Sequence, residues 1–133
     1  MIAHACLIVS DYDKTKRFYE AALKPLGYTF TMDHPEWMAG GYNDGKHTDF
    51  WISQKKGVTT DFVSHVAFEA KNKKEVDSFY KEALVAGGKD NGAPGYRPNY
   101  WPGYYAAFVH DADGNNVEVV FFDYSKVKEE KNK

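Results

Sequence analysis

Cysteine, long apolar runs and clustered positive charge are all scarce in this sequence of 133 residues. The single cysteine, Cys6, excludes a disulfide within the chain. No apolar run approaches the roughly 20 residues that a membrane-spanning helix needs, and the first residues lack the basic and apolar regions of a secretory leader. The net charge of −2 comes without a basic stripe, which argues against nucleic acid as a partner. We therefore expect a cytoplasmic protein that binds neither membrane nor nucleic acid.

What the chain does have is an ordinary share of hydrophobic residues, 43%, and many aromatic ones, 17%. This composition is typical of a globular protein with a real core. The length predicts one domain, which we place at 1–124, with a charged and frayed tail at 125–133. The aromatic excess indicates either a dense core or an aromatic-lined pocket, and composition leaves both open.

The first half of the chain resembles the second half. A shift of 61 residues aligns His4 with His65, and Phe18-Tyr19 with Phe79-Tyr80. A shift of 69 residues aligns Asp44-Gly45-x-x-x-Asp49 with Asp113-Gly114-x-x-x-Glu118, and we assign the difference to an insertion between 88 and 113. The repeat predicts two modules, 1–53 and 62–124, joined by a linker at 54–61.

Hydrophobic periodicity predicts the same order of elements in each module. In the first module it predicts strands at 2–9, 27–32, 36–42 and 48–53 and a helix at 14–25. In the second it predicts strands at 62–70, 103–110 and 115–122, a helix at 73–86 and a loop-rich stretch at 89–102. The predicted fold is α+β, with two tandem βαβββ modules forming a curved mixed sheet and helices outside.

Strand alternation predicts which side chains face away from the helices. The apolar faces of the strands should pack on the helices, which turns His4, His65, Asp49 and Glu118 toward one concave surface. Two imidazoles and two carboxylates suit a divalent first-row metal such as Fe, Mn, Co, Ni or Zn. We predict these four residues as metal ligands, with Asp49 and Glu118 also as candidate catalytic groups.

The segment 96–105 is dense in aromatic residues and contains one arginine. It is either a packed cover over the sheet or a pocket wall. As a pocket wall, it would let Arg97 hold a carboxylate or phosphate and let the rings stack on an organic substrate. The predicted substrate-binding residues are Arg97, Tyr100, Trp101, Tyr105, Trp51 and Trp37.

The pattern His4, Asp49, His65, Glu118 resembles the metal set of glyoxalase I. The segment 111–118 resembles the closing D-x-D-G-x-x-x-E hairpin of the vicinal oxygen chelate superfamily, which includes glyoxalases, bleomycin-resistance proteins and extradiol dioxygenases. Two further segments, 49–52 and 87–95, resemble an uncharacterised glyoxalase-like subgroup. Position 49 departs from the pattern, because the family usually has the longer glutamate there, and a two-His, one-carboxylate site is the alternative.

The resemblance implies a metal-dependent lyase, isomerase or dioxygenase that acts on a small oxygenated molecule. The rival hypothesis is a metal-free binding protein of the bleomycin-resistance type. We also expect a homodimer, because small sheets with open edges often pair. Whether the two modules pair within one chain or exchange between chains stays open at this point.

Overall fold

The computed structural model describes residues 1–55 and 63–131, with side chains described up to residue 127. Residues 56–61 of the predicted linker lie outside the described residues. The strands are β1 (Ala5–Ile8), β2 (Thr29–His34), β3 (Ala39–Asn43), β4 (Thr48–Ser53), β5 (His65–Glu69), β6 (Lys89–Tyr96), β7 (Tyr104–His110) and β8 (Asn116–Phe122). The helices are α1 (Tyr12–Leu23), α2 (Lys73–Val85) and α3 (Tyr124–Lys131).

The first module forms a four-stranded mixed sheet in the order β1-β4-β3-β2, with β1 and β4 parallel. Asp11 caps the start of helix α1, and its side chain accepts a hydrogen bond from the backbone N–H of Lys14. A 3-10 turn at Lys24–Leu26 follows the helix, and Gly27 closes this turn at φ 86°, a left-handed conformation that favours glycine. The helix thus begins two residues before its predicted start and ends close to the predicted end.

The second module repeats this plan, with the order β5-β8-β7-β6 and with β5 and β8 parallel. Asn72 caps the start of helix α2, and its side chain accepts a hydrogen bond from the N–H of Glu75. The helix stops at Gly87, which has φ 105°. The predicted α+β fold of two tandem βαβββ modules is therefore confirmed, with one four-stranded sheet for each module.

Strand β6 lies where we predicted loop. Its sequence includes Gly92, Pro94 and Gly95, which normally interrupt a sheet. β6 is an edge strand, and its register with β7 shifts on both sides of Gly92. An edge strand with bulges tolerates a proline, because the outer side of the strand needs no N–H donor. Tertiary pairing with β7 has therefore overridden the local turn signal.

The strand register corrects the second alignment of the repeat. Just after β1 the N–H of Val9 bonds the carbonyl of Ser53, and just after β5 the N–H of Ala70 bonds the carbonyl of Val120. Val9 and Ala70 are 61 residues apart, but Ser53 and Val120 are 67 apart. The shift of 69 matched the turns instead of the strands. By register, the position equivalent to Glu118 is Trp51, two residues beyond Asp49.

One hydrophobic core joins the two modules. It contains side chains from α1, α2 and the helix-facing sides of both sheets. Phe50 of β4 and Phe68 of β5 meet edge to face with their ring centroids 5.1 Å apart. Tyr19 of α1 donates a hydrogen bond to Asp111 of the second module at 2.5 Å. The modules are therefore packed together through their helix-facing sides.

Most of the segment that we predicted as a frayed tail, up to residue 131, is helical. Helix α3 covers Tyr124–Lys131, and Tyr124 meets Trp101 with ring centroids 5.3 Å apart. This aromatic contact and the Lys126 ammonium, which lies over the Tyr96 ring, attach the start of the helix to the second module. Among the described residues, no helix is long and apolar enough to span a membrane.

Candidate functional site

A cluster of three polar side chains lies on the open face of the second sheet, away from the helices. The Nε2 atom of His65 is 2.8 Å from Oε1 of Glu118, and the hydroxyl of Tyr104 donates a short hydrogen bond to Oε2. The Glu118 side chain is only 3% exposed, whereas that of His65 is 55% exposed. A buried carboxylate thus has both oxygens partnered, and the imidazole beside it is open to solvent.

The hairpin before β8 fixes the position of this cluster. Asp111 accepts hydrogen bonds on Oδ1 from the backbone N–H groups of Asp113 and Asn115, at 3.0 and 2.9 Å. The side-chain oxygen of Asn115 accepts from the N–H of Ser64, the residue before His65. The turn therefore sets the register of β5 against β8, and this register determines that His65 and Glu118 meet.

The Tyr104 hydroxyl is a donor at neutral pH. Burial raises the pKa of Tyr104 above its ordinary value, and the hydrogen bond to Glu118 raises it further. The neighbouring Tyr105, which we predicted as a substrate-binding residue, lies on the helix-facing side and donates to Asp77 of α2 at 2.7 Å. Consecutive strand residues alternate between the two faces of the sheet. The same alternation along β7 was the signal that could have placed Tyr104, and not Tyr105, on the open face with Glu118.

Two of the predicted substrate-binding residues line a cavity of about 470 Å³ on the same open face. These are Tyr100 and Trp101. The other lining residues are Glu69, Tyr104, Phe122 and Tyr124.

Arg97, Trp37 and Trp51 are not among the residues that line this cavity. The Arg97 guanidinium donates to the carbonyls of Gly95 and Ala93, and lies over the ring of Phe108. These contacts give Arg97 a role in holding the bulged strand β6. Trp37 and Trp51 belong to the first module, where both flank the His34 ring.

The first module holds the other two predicted ligands. Ala5 pairs with Phe50 in the parallel register, which places His4 beside Asp49 at the start of β1 and β4. Tyr28 donates to Oδ2 of Asp49 at 3.1 Å, while Oδ1 is buried without a hydrogen-bond partner. Burial raises the pKa of Asp49, an effect that the Tyr28 hydrogen bond opposes. Both predicted residues line a second cavity, of about 490 Å³.

A possible metal-binding group not predicted from sequence lies at the same end of β4. Ligand atoms of Asp44, His47 and Asp49 all lie within 4.8 Å of one another. Asp44 Oδ1 accepts from the N–H groups of Lys46 and His47, and the backbone N–H of His47 is the main cause that lowers the pKa of Asp44. The spacing D-x-x-H-x-D was the sequence signal. The turn hydrogen bonds already explain the positions of Asp44 and His47.

No three of the four predicted metal ligands, all of which the structure describes, have ligand atoms within 4.8 Å of one another in one chain. Among the residues that the structure describes, the Asp44, His47 and Asp49 group is the cluster with three ligand atoms at metal-binding separations. His65 and Glu118 lie together on the second sheet, and His4 and Asp49 lie together on the first. Both β1 and β5 are edge strands, so each pair lies near an unpaired sheet edge.

Comparisons with known proteins agree with this architecture. A protein of Bacillus subtilis (strain 168), "Uncharacterized protein YqjT", is 27% identical over 135 residues, covering 88% of this chain and 95% of the relative. A glyoxalase/bleomycin resistance protein from Albidiferax ferrireducens T118 has a similar structure, with a TM-score of 0.77 and 24% identity over 90% of this chain and 97% of that one. A lactoylglutathione lyase from Agrobacterium tumefaciens gives a TM-score of 0.67 at 20% identity, covering 91% of this chain and 92% of that one.

The family itself is shown by a sequence match along most of the chain. The description of the matching family is Glyoxalase/Bleomycin resistance protein/Dioxygenase superfamily, and the match covers residues 1–119. The resemblance found in the sequence is thereby confirmed, and the chain belongs to the glyoxalase/bleomycin resistance protein/dioxygenase superfamily.

Proposed function

We propose that this protein is a metal-dependent enzyme of the glyoxalase type that acts on a small oxygenated organic molecule. The observation that supports this most directly is the pair of His65 and Glu118, 2.8 Å apart on an open sheet face beside an aromatic cavity. A nitrogen and an oxygen donor at this separation suit a divalent first-row ion such as Fe, Mn, Co, Ni or Zn. Such an ion, when bound, supplies Lewis-acid stabilisation of an enolate or similar oxyanion.

The protein groups around the pair suit proton transfer. Glu118 is buried, and Tyr104 orients one of its oxygens with a hydrogen bond. A carboxylate held in this way can take a proton from a substrate carbon and return it, as a lyase or isomerase of this type requires. The Tyr104 hydroxyl also stays protonated, so it remains available as a hydrogen-bond donor.

We propose that two copies of the chain complete the metal set. No three of the four predicted ligands, which all lie among the described residues, have ligand atoms at metal-binding separations within one chain, and each pair is next to an unpaired edge strand. A homodimer that brings β1 of one copy near β5 of the other would combine the two pairs. The ligands of this set are His4, His65 and Glu118.

Asp49 is assigned a separate role, as a base acting through water. Strand register makes Trp51, not Asp49, the equivalent of Glu118. Asp49 nevertheless lies beside His4 with one buried oxygen free of hydrogen bonds. If that oxygen bound the metal directly, the site would have four ligands, and the Asp49→Ala variant distinguishes the two cases.

A metal-free binding protein of the bleomycin-resistance type is the second candidate. It is favoured by the two hydrogen bonds that Glu118 already accepts, because they satisfy the buried carboxylate without an ion. The aromatic cavity also fits a protein that sequesters an organic ligand.

Metal content tests the two candidates directly. The protein would be purified without a chelator or an affinity metal, reconstituted with Fe(II), Mn, Co, Ni or Zn, and analysed by elemental mass spectrometry. We expect near-stoichiometric metal that is lost in His4→Ala, His65→Ala and Glu118→Ala. Glu20→Ala is the matched control, since Glu20 is an exposed residue of α1, away from the open sheet faces.

The Asp49→Ala variant should keep its metal but lose activity if Asp49 is a base. Loss of the metal from this variant would make Asp49 a fourth ligand. Failure of the wild-type protein to bind any of the five metals would refute the enzyme proposal and leave the binding protein. Sedimentation velocity tests whether the protein is a dimer. A strictly monomeric metal-loaded protein would refute the proposal that two copies complete the metal set.

A further inference from the structure

The cavity beside Glu118 has walls made almost entirely of aromatic rings. Five of its six lining residues are aromatic and the sixth is Glu69. We call it the aromatic cavity. Its rings are Tyr100, Trp101, Tyr104, Phe122 and Tyr124.

The rings form one continuous series of perpendicular contacts. Tyr124 meets Trp101 at 79°, and Trp101 meets Phe122 at 80°. Phe122 meets Tyr104 at 82°, and Tyr104 meets Tyr100 at 89°. Rings that alternate edge and face in this way line a concave surface with π-faces that point in different directions. Each face carries the negative side of the ring quadrupole, so the surface attracts a cation.

The backbone around Trp101 holds this wall in place. A Cβ atom on Gly103 would lie 2.0 Å from the carbonyl oxygen of Asp123, so only glycine permits this close approach. The N–H of Asp123 bonds the carbonyl of Gly103 at 2.7 Å, and Tyr96 donates to the Asp123 carboxylate at 2.6 Å. These hydrogen bonds connect the loop before β7 to the start of α3. The positions of the rings that line the aromatic cavity are therefore fixed by the backbone.

The residues that line the aromatic cavity carry only negative formal charge. Glu69 adds a carboxylate, and none of the described residues that line the cavity is basic. The Tyr104 hydroxyl extends from the cavity to Glu118, which links the aromatic cavity to the proposed metal pair. A volume of about 470 Å³ is enough for a small organic ligand.

We propose that the aromatic cavity binds an organic cation of the substituted-ammonium class, through its ring faces and the Glu69 carboxylate. A bare ammonium would favour water over the rings, whereas alkyl groups on the nitrogen lower its hydration and match the apolar wall. That this cation is part of the substrate rests on the function proposed above. The binding of the cation itself does not depend on a metal.

Calorimetric titration of the metal-free, full-length chain with choline tests the proposal. The matched probe is 3,3-dimethylbutan-1-ol, which has the same shape but a carbon in place of the charged nitrogen. Contacts between a desolvated cation and aromatic rings predict that choline binds roughly tenfold more tightly than the neutral probe. Equal affinity for the two probes, or no binding of choline, would overturn the proposal.

Variants of the lining residues test whether choline binds in the aromatic cavity. Trp101→Leu and Tyr124→Leu should each abolish the preference for choline, and Glu69→Gln should weaken choline without affecting the neutral probe. Tyr124 is exposed, so its variant should stay folded, which circular dichroism checks. Val85→Ala, a change at the exposed end of α2, should leave both affinities unchanged. A protein that binds metal but not choline would keep the proposed function and refute only this inference.

Discussion

Replacing Tyr19 with phenylalanine tests whether the two modules are one structural unit. Tyr19 is completely buried in α1, and its hydroxyl donates to Asp111 of the second module at 2.5 Å. A hydrogen bond to a charged acceptor contributes about 1.5–3 kcal/mol to stability. Asp111 keeps three other donors, from Asp113 and from the backbone and side chain of Asn115, so its charge is not left unpaired. We therefore expect Tyr19→Phe to lower the free energy of unfolding by about 2 kcal/mol.

Tyr42→Phe is the matched control. Tyr42 is also completely buried, and its hydroxyl donates at 2.8 Å to a neutral acceptor, the carbonyl of Lys16, within the first module. This change should cost about 1 kcal/mol. For a chain of this size the losses correspond to falls in Tm of roughly 6–8 °C for Tyr19→Phe and roughly 3–4 °C for Tyr42→Phe. Urea unfolding followed by circular dichroism measures both free energies.

Two outcomes would contradict this reasoning. Equal losses for the two variants would show that the bond to Asp111 is no stronger than a neutral one. Two separate unfolding transitions in the wild-type protein would show that the modules do not share one cooperative core. The same contact holds the hairpin that positions Glu118, so Tyr19→Phe should also broaden the amide signal of His65 in NMR spectra.

Two further predictions concern stability. Gly103→Ala should destabilise the chain by about 1–3 kcal/mol, because the added Cβ would overlap the carbonyl of Asp123; wild-type stability in urea would contradict the close approach. Tyr12 donates to Asp33 at 2.5 Å, and this hydrogen bond is the largest cause that lowers the pKa of Asp33. A lowered folded-state pKa stabilises the fold above the unfolded pKa of about 3.9, and this contribution is lost as pH falls through the folded value. The difference in Tm between wild type and Tyr12→Phe should therefore be present near neutral pH and shrink in acid, and a difference independent of pH would contradict it.

Much of the secondary structure followed from local chemistry. Asp11 and the glycines after α1 and α2 marked helix ends, since a capping side chain and a left-handed glycine act within a few residues. Alternation along β8 correctly predicted that Val117 and Val119 face the core and Glu118 the open side. Such patterns are readable because side-chain direction in a strand depends only on position along it.

Other features depended on contacts between distant residues. The strand β6 exists because its glycines and proline lie at a sheet edge paired with β7, which no local signal indicates. The turns before β4 and β8 differ in length, so an alignment of the turns does not align the strands. It matched Glu118 to Asp49, whereas the strand register matches Glu118 to Trp51. A turn can gain or lose residues without moving the strands beside it.

The sequence by itself determined the family, the two-module plan and the faces on which the polar candidates lie, because repeat, motif and alternation are all local or internal patterns. Tertiary structure alone decided which candidates meet. It brought His65 and Tyr104 against Glu118, and it placed aromatic residues from the loop before β7 and from β7, β8 and α3 around one cavity. The physical reason is that both modules bury their helix-facing sides in a single core, and this packing fixes where each open sheet face can point.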